Sequence, residues 1–245
     1  MPAVSKPAFT ETNLIDGWPN CQSRNGVKPR FAVIHTTEGA GGMGLVNYMR
    51  GAQVSYHYFV GNDGQVFDLV DTDDASWSCM NANGYTINYV FGPSFAGWTR
   101  QQWLDLMGNG IKIMAWLIAS DLIKYNIPPV VSLGPNYRPI TSGVVDHRYF
   151  RDVVRDGNTH GDVGDGFPND VFTNHLTTFH SALKGGPTVP TPAVPPTPPP
   201  FTYPSQAEMI TQIWEQLFGP RAKGWPQLGG KSLVDAVADI EKRLK

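Results

Sequence analysis

Charge is scarce in this 245-residue chain: Asp, Glu, Lys and Arg make up 16% of it, against roughly 25% in an average globular protein. Nineteen basic and 21 acidic residues leave a formal net charge of −2, which argues against a broad electrostatic partner such as duplex nucleic acid. Cysteine is nearly missing. Cys21 and Cys79 are the two present, which excludes a disulfide framework and a Cys-based zinc ribbon and leaves two free thiols as the expectation. Six histidines are too few for a His-rich tract, so each can be weighed singly. Long apolar runs are lacking too. The most apolar stretch, Ile111 to Ile127, is broken by Lys112, Ser120, Asp121 and Lys124, which is too polar for a bilayer span. The first residues have no basic start followed by an apolar core, so neither a secretory leader nor stable membrane association is expected.

Proline, by contrast, is concentrated. Nine of the twenty residues from Gly185 to Pro204 are proline, a composition that lacks amide donors and favours an extended spacer. The spacer, 185–204, separates a large body from a tail, 205–245. In the tail, Ser205 and Glu208 form a capping-box pattern ahead of an apolar stripe that includes Ile213, Trp214, Leu217 and Phe218. Ser232 and Asp235 open a second helix carrying Leu233, Val237, Ile240 and Leu244, so the tail is expected to be a small helical hairpin.

The body mixes both periodicities. Phe31–Thr36 reads as a short buried strand. Val54–Val60 alternates, turns at Gly61-Asn-Asp-Gly64 and returns as Gln65–Val70, a hairpin signature. Thr86–Phe91 is another strand, and Thr99 with Gln102 caps a long helix whose apolar positions include Trp103, Leu106, Met107, Met114 and Ile118. The expected class is α/β, a mixed central sheet flanked by helices.

Chemistry gathers in three places. His35 ends a buried strand, His147 follows the apolar run Val144-Val145, and the glycine-broken loop Thr159-His160-Gly-Asp162-Val-Gly-Asp-Gly-Phe167 is rich in ligand atoms. Two imidazoles and a carboxylate suit Zn²⁺, because three protein ligands leave the fourth tetrahedral position for water. Spacing alone does not decide among such triples.

The ordered segments do. Val33-Ile-His35-Thr, Ser55-Tyr56-His-Tyr-Phe-Val-Gly-Asn-Asp-Gly64, Asp146-His147-Arg and His160-Gly-Asp162-Val-Gly-Asp-Gly-Phe-Pro168 together resemble the zinc-dependent N-acetylmuramoyl-L-alanine amidases of type 2, which share the peptidoglycan-recognition-protein fold. The resemblance covers 28–184, the expected catalytic domain, and leaves 1–27 as an N-terminal extension. Ile87-Asn-Tyr-Val-Phe-Gly, Trp98–Trp103 and the tail around Ile213-Trp-Glu-Gln-Leu resemble endolysins of phages that infect mycobacteria and related bacteria.

The resemblance implies zinc held by His35, His147 and Asp162, with Tyr56 as catalytic tyrosine and His160 beside the reacting carbonyl. It implies cleavage of the amide between N-acetylmuramic acid and L-alanine in peptidoglycan. An endolysin of this kind is made in the host cytoplasm and reaches the wall after a holin-type protein permeabilises the membrane. Two departures stand out: Val163 where the family usually has proline, and Trp77-Ser-Cys79 where many relatives have Trp-His, so that a substrate-contacting imidazole is missing. The rival from another class is a peptidoglycan-binding module that does not cleave, but such members lose a zinc ligand, and Asp162 and Tyr56 are both present.

Neighbouring residues sort less sharply. His57 reads as a structural histidine on the opposite face from Tyr56, and His175 and His180 as surface residues. Asp156–Phe167 mimics the start of an EF-hand but has Phe167 where a Glu is required. Asp71, Asp73 and Asp74 form a solvated turn. Glu38 is either an assistant at the metal or a polar loop residue, and Trp77, Trp98 and Tyr149 either stack on sugars or fill the core. The tail either targets the wall or self-associates, or else folds back.

Overall fold

Phe31–Thr36 and Thr86–Phe91 are buried along their entire length, as strands covered on both faces must be. They lie at the heart of a computed structural model that describes residues 4–39, 41–185, 217, 231–233 and 235–237. Contacts divide the chain into two compact units, Met1–Val189 and Pro190–Lys245. The spacer and most of the tail hairpin lie outside the described residues. Within the tail, the second helix start is visible: Ser232 Oγ accepts the Asp235 backbone N–H at 3.0 Å, an N-cap bond.

The first unit contains strands β1 (Thr10–Asn13), β2 (Cys21–Ser23), β3 (Phe31–Thr36), β4 (Tyr58–Val60), β5 (Gln65–Asp68), β6 (Asp74–Ser76), β7 (Thr86–Phe91), β8 (Val131–Ser132) and β9 (Gly143–Asp146). Its helices are α1 (Gly42–Gly51), α2 (Arg100–Lys124) and α3 (Asn169–Gly185). Seven strands form one mixed sheet in the order β1-β5-β4-β7-β3-β9-β8, and β2 pairs antiparallel with β6 beside it. The β4–β5 hairpin expected from the Gly61–Gly64 turn is present, antiparallel with Phe59 opposite Phe67. Strands from the first 27 residues are part of both sheets, since β1 pairs parallel with β5.

α2 begins with the capping box read from the sequence, Thr99 and Gln102 each bonding the other's backbone N–H. By length and composition it is apolar enough to cross a bilayer, but 67% of its apolar window is buried inside the protein. It is a core helix. Trp103, Met107, Met114 and Ile118 pack with Ile34, Tyr89 and the α3 residues Phe172 and Phe179, whereas Leu106 is left exposed. Two smaller clusters cover the other sheet face, one around Met49, Phe59 and Val90, the other around Phe31, Val33, Cys79 and Val145.

Strand alternation then fixes the site. Side chains along a strand point to alternate faces. In β3, Ala32 and Ile34 face α2, so Phe31, Val33 and His35 face away. In β7, Ile87 and Tyr89 face α2, so Asn88 and Val90 face away. In β9, Val144 faces α2 and Val145 does not. The parallel register sets Ile34 beside Asp146, so His147 leaves β9 next to His35. Both histidines emerge at the carboxyl ends of parallel strands, where ligand sites in such sheets collect.

Candidate metal centre

His35 is fully buried, and its ring lies 4.7 Å from that of His147 between centroids. Asp162 reaches both: its Oδ2 is 3.2 Å from His35 Nδ1 and its Oδ1 is 3.5 Å from His147 Nδ1. The loop that delivers Asp162 is pressed against the 96–99 segment. A Cβ on Gly164, which has a φ of +85°, would collide with the Ala96 carbonyl, and one on Gly166 with that of Trp98. Val163, the departure from proline, is buried in the main core and anchors the loop by packing.

The far nitrogen of each imidazole is backed by a side-chain amide. His35 Nε2 lies 3.0 Å from Asn88 Oδ1, and His147 Nε2 lies 2.8 Å from the Asn158 amide. Asn88 Nδ2 in turn donates to Ser76 Oγ and Thr86 Oγ1, both at 3.0 Å. Such outer partners set ring orientation, and the acceptor oxygen of Asn88 also leaves Nδ1 of His35 as the nitrogen free to bind, whereas Asn158 presents its NH2 donor to His147. Among the described residues, Nδ1 of His35 is a buried nitrogen without a hydrogen-bond partner of regular geometry, 3.2 Å from Asp162 Oδ2.

Burial pushes the Asp162 carboxyl up, but the two imidazoles against it outweigh that and hold it well below the usual carboxylate range. His147 is pushed down by burial and by His35, against the pull of Asp162. An ionised carboxylate and two imidazoles in one dry pocket are the donors that zinc takes, so the residues present fit such an ion.

Tyr56 and His160 border this triad. The Tyr56 ring meets the His35 ring edge-on at 5.0 Å, and desolvation, helped by the Asp162 charge, keeps its phenol protonated well past the ordinary range. The His160 ring stacks on His147 at 4.3 Å with a 12° tilt, and its Nδ1 is 3.8 Å from Asp162 Oδ1. It is the open member of the group, its side chain 57% exposed.

His57 corrects one expectation. Residues 54–57 are not part of a regular strand, so alternation does not separate Tyr56 from His57. Both lie on the His35 side: His57 Nδ1 accepts the Asn88 backbone N–H at 2.8 Å and sits 3.1 Å from Ser76 Oγ. Burial and the adjoining Arg24 guanidinium push His57 down to about 3, so it is a neutral structural histidine held behind Asn88. Glu38 is taken up by its own loop, accepting from Thr36 Oγ1 at 2.6 Å and from the Ala96 N–H at 2.8 Å. Tyr149 is core, Trp98 packs on Trp103, and His175 stacks on Phe179 in α3.

Three residues of the site escaped the sequence reading. Asn88 had a signal, a polar residue inside an otherwise apolar strand buried on both faces. Asn158 looked like one more polar loop residue. Cys79 had no signal as a ligand, yet its Sγ and a ring nitrogen from each of His35 and His147 lie within 4.8 Å of one another. A second such group joins His147, His160 and Asp162.

With this geometry in place, comparison with known proteins is decisive for the family. Residues 25–164, more than half of the chain, match the N-acetylmuramoyl-L-alanine amidase family. The chain belongs to that family. In this amidase, residues 202–245 separately match the Rv3766 C-terminal domain. No curated protein matches the chain. The amidase is similar in fold to the crystal structure of Staphylococcus aureus hydrolase AmiA in complex with its ligand, with a TM-score of 0.56 and 17% identity over 74% of this chain and 87% of that one. It also matches N-acetylmuramoyl-L-alanine amidase LysC from Clostridium intestinale, at a TM-score of 0.49 and 15% identity over 69% of this chain and 99% of that one.

Proposed function

We propose that this amidase is zinc-dependent, that it hydrolyses the bond between N-acetylmuramic acid and L-alanine in peptidoglycan, and that it serves a phage as an endolysin. The observation that carries the reading is the convergence of His35, His147 and Asp162 from three separate segments inside the family-matched region.

His35 would hold the ion through Nδ1, with Asn88 behind its Nε2, His147 through its imidazole, and Asp162 through its carboxylate. Zinc bound there supplies Lewis acidity and lowers the pKa of water toward neutrality. Tyr56 keeps its proton at neutral pH and can donate its O–H to charge that develops on the reacting carbonyl oxygen or to the leaving amine. His160, pushed down by burial and by His147, is neutral and presents one N–H donor at the open rim.

The endolysin reading adds delivery: the protein accumulates in the host cytoplasm and meets the wall when a holin-type protein permeabilises the membrane. The tail, 205–245, concentrates it there by binding the wall or by self-association through its helices. Expression in a susceptible host tests this. Cells should stay intact until a permeabilising agent is added and then lyse, whereas prompt lysis without the agent would contradict the delivery scheme. Zinc dependence is tested separately, by stripping the metal and measuring recovery of wall hydrolysis with zinc but not with magnesium.

A further inference from the structure

Residues 1–27 read as an extension in the sequence, and the family match starts only at residue 25. Arg24 nevertheless reaches the interior behind the metal centre. It follows β2 directly, and the β2–β6 pairing, with Ser23 opposite Asp74, carries it inward until it is 6% exposed. Buried guanidinium groups ordinarily face carboxylates. This one faces main-chain carbonyls: Nε donates to Thr72 at 3.1 Å, Nη1 to Asn83 at 3.3 Å and to Gly84 at 2.9 Å, and Nη2 to Thr86 at 2.9 Å. The same Nη2 lies 3.1 Å from His57 Nε2. Thr86 and His57 both hold Asn88. Thr86 Oγ1 takes one hydrogen of the Asn88 amide at 3.0 Å, and His57 Nδ1 takes the Asn88 backbone N–H at 2.8 Å. A neutral His57 can do so only with its proton on Nε2, where the Asp74 carbonyl accepts it at 3.0 Å. Asn88 Oδ1 then faces His35 Nε2 at 3.0 Å.

We propose that Arg24 is a positioning residue of the metal centre: its Nη2 bridges Thr86 and His57, these two fix Asn88, and Asn88 leaves Nδ1 of His35 free for the ion. The proposal rests on the metal reading above and deepens it, by adding a residue from outside the family-matched span. Arg24 acts through this chain of contacts, so its effect falls on affinity for the ion. A point-like ammonium does not replace it. Lysine keeps the charge but lacks the planar fork that serves Thr86, His57 and the carbonyls of Thr72, Asn83 and Gly84 together.

Zinc affinity supplies a readout independent of activity. In full-length, folded Arg24→Lys, chelator competition should show zinc bound at least about threefold more weakly, a smaller loss than removing a direct partner of the ligand causes. Introduced into Asn88→Ala, the same substitution should cause no further loss, because the link it acts through is already gone. A residue that only holds the fold together would weaken zinc equally in both backgrounds or in neither. Either result overturns the proposal while leaving the metal reading standing. The unaltered protein provides a second check that needs no variant to fold. Nitrogen-15 resonances of His57 should show a bare Nδ1 coupled to the Asn88 amide and a protonated Nε2, and a protonated Nδ1 would overturn the proposal. Unaltered protein that binds no zinc would overturn the metal reading and the proposal together.

Discussion

Asn88 Oδ1 sits 3.0 Å from His35 Nε2, so the nitrogen turned toward Asp162 is Nδ1. The amide thereby sets the tautomer that a metal requires: Nε2–H donates to Asn88, and Nδ1 keeps its lone pair. Replacing Asn88 by Ala should loosen zinc by about 10- to 100-fold, the usual effect of losing an outer-shell partner. Asn88→Asp, which retains an acceptor oxygen, should recover much of that loss. Chelator competition on both variants checks this, and equal weakening in the two would argue for a packing role alone.

Tyr56 is the residue whose removal should separate chemistry from metal binding. Tyr56→Phe keeps the ring against His35 and loses only the hydroxyl, so zinc content should be unchanged while kcat falls by about 100-fold or more. His160→Ala should also lower kcat at full zinc occupancy, because its ring is the exposed neighbour of the triad. Loss of zinc from the His160 variant would make it a ligand instead.

Away from the site, Asp121 is a source of pH-dependent stability. Its carboxyl is on the buried face of α2, where burial raises it to about 6 even though the Tyr89 O–H donates to it at 2.6 Å. The folded value lies above the ordinary value of 3.8, so the contribution is complete below about pH 4 and fades as pH rises through 6. Asp121→Asn keeps an acceptor for Tyr89 and does not titrate. Urea unfolding at pH 4 and pH 7.5 should show the variant gaining on the unaltered protein by on the order of 3 kcal/mol over that interval. A pH-independent difference would exclude Asp121 as the source.

For the tail, truncation after Lys184 should leave turnover of small muramyl-peptide substrates unchanged and weaken sedimentation with intact walls. Full retention on walls by the truncated enzyme would remove the targeting role.

Much of the fold was legible because its signals are local and repetitive. The Thr99–Gln102 capping box, the Gly61–Gly64 turn and the mostly apolar, fully buried β3 and β7 each appear where residue type and spacing put them. The triad was legible through its ordered motifs. What stayed hidden depends on long-range contact: Asn88 acts on His35 from 53 positions away, and Cys79 reaches the histidines through a turn that no periodicity marks. Strand alternation failed at Tyr56-His57, because the chain leaves regular strand geometry before β4, and pairing rather than pattern then decides where side chains point.

The central claim is that this site hydrolyses the muramyl–alanine amide. Purified peptidoglycan incubated with the zinc-loaded protein should accumulate free L-alanine amino termini without new reducing sugar ends, and Asp162→Ala should release none while remaining folded. Reducing ends, or amino termini released equally by Asp162→Ala, would contradict it.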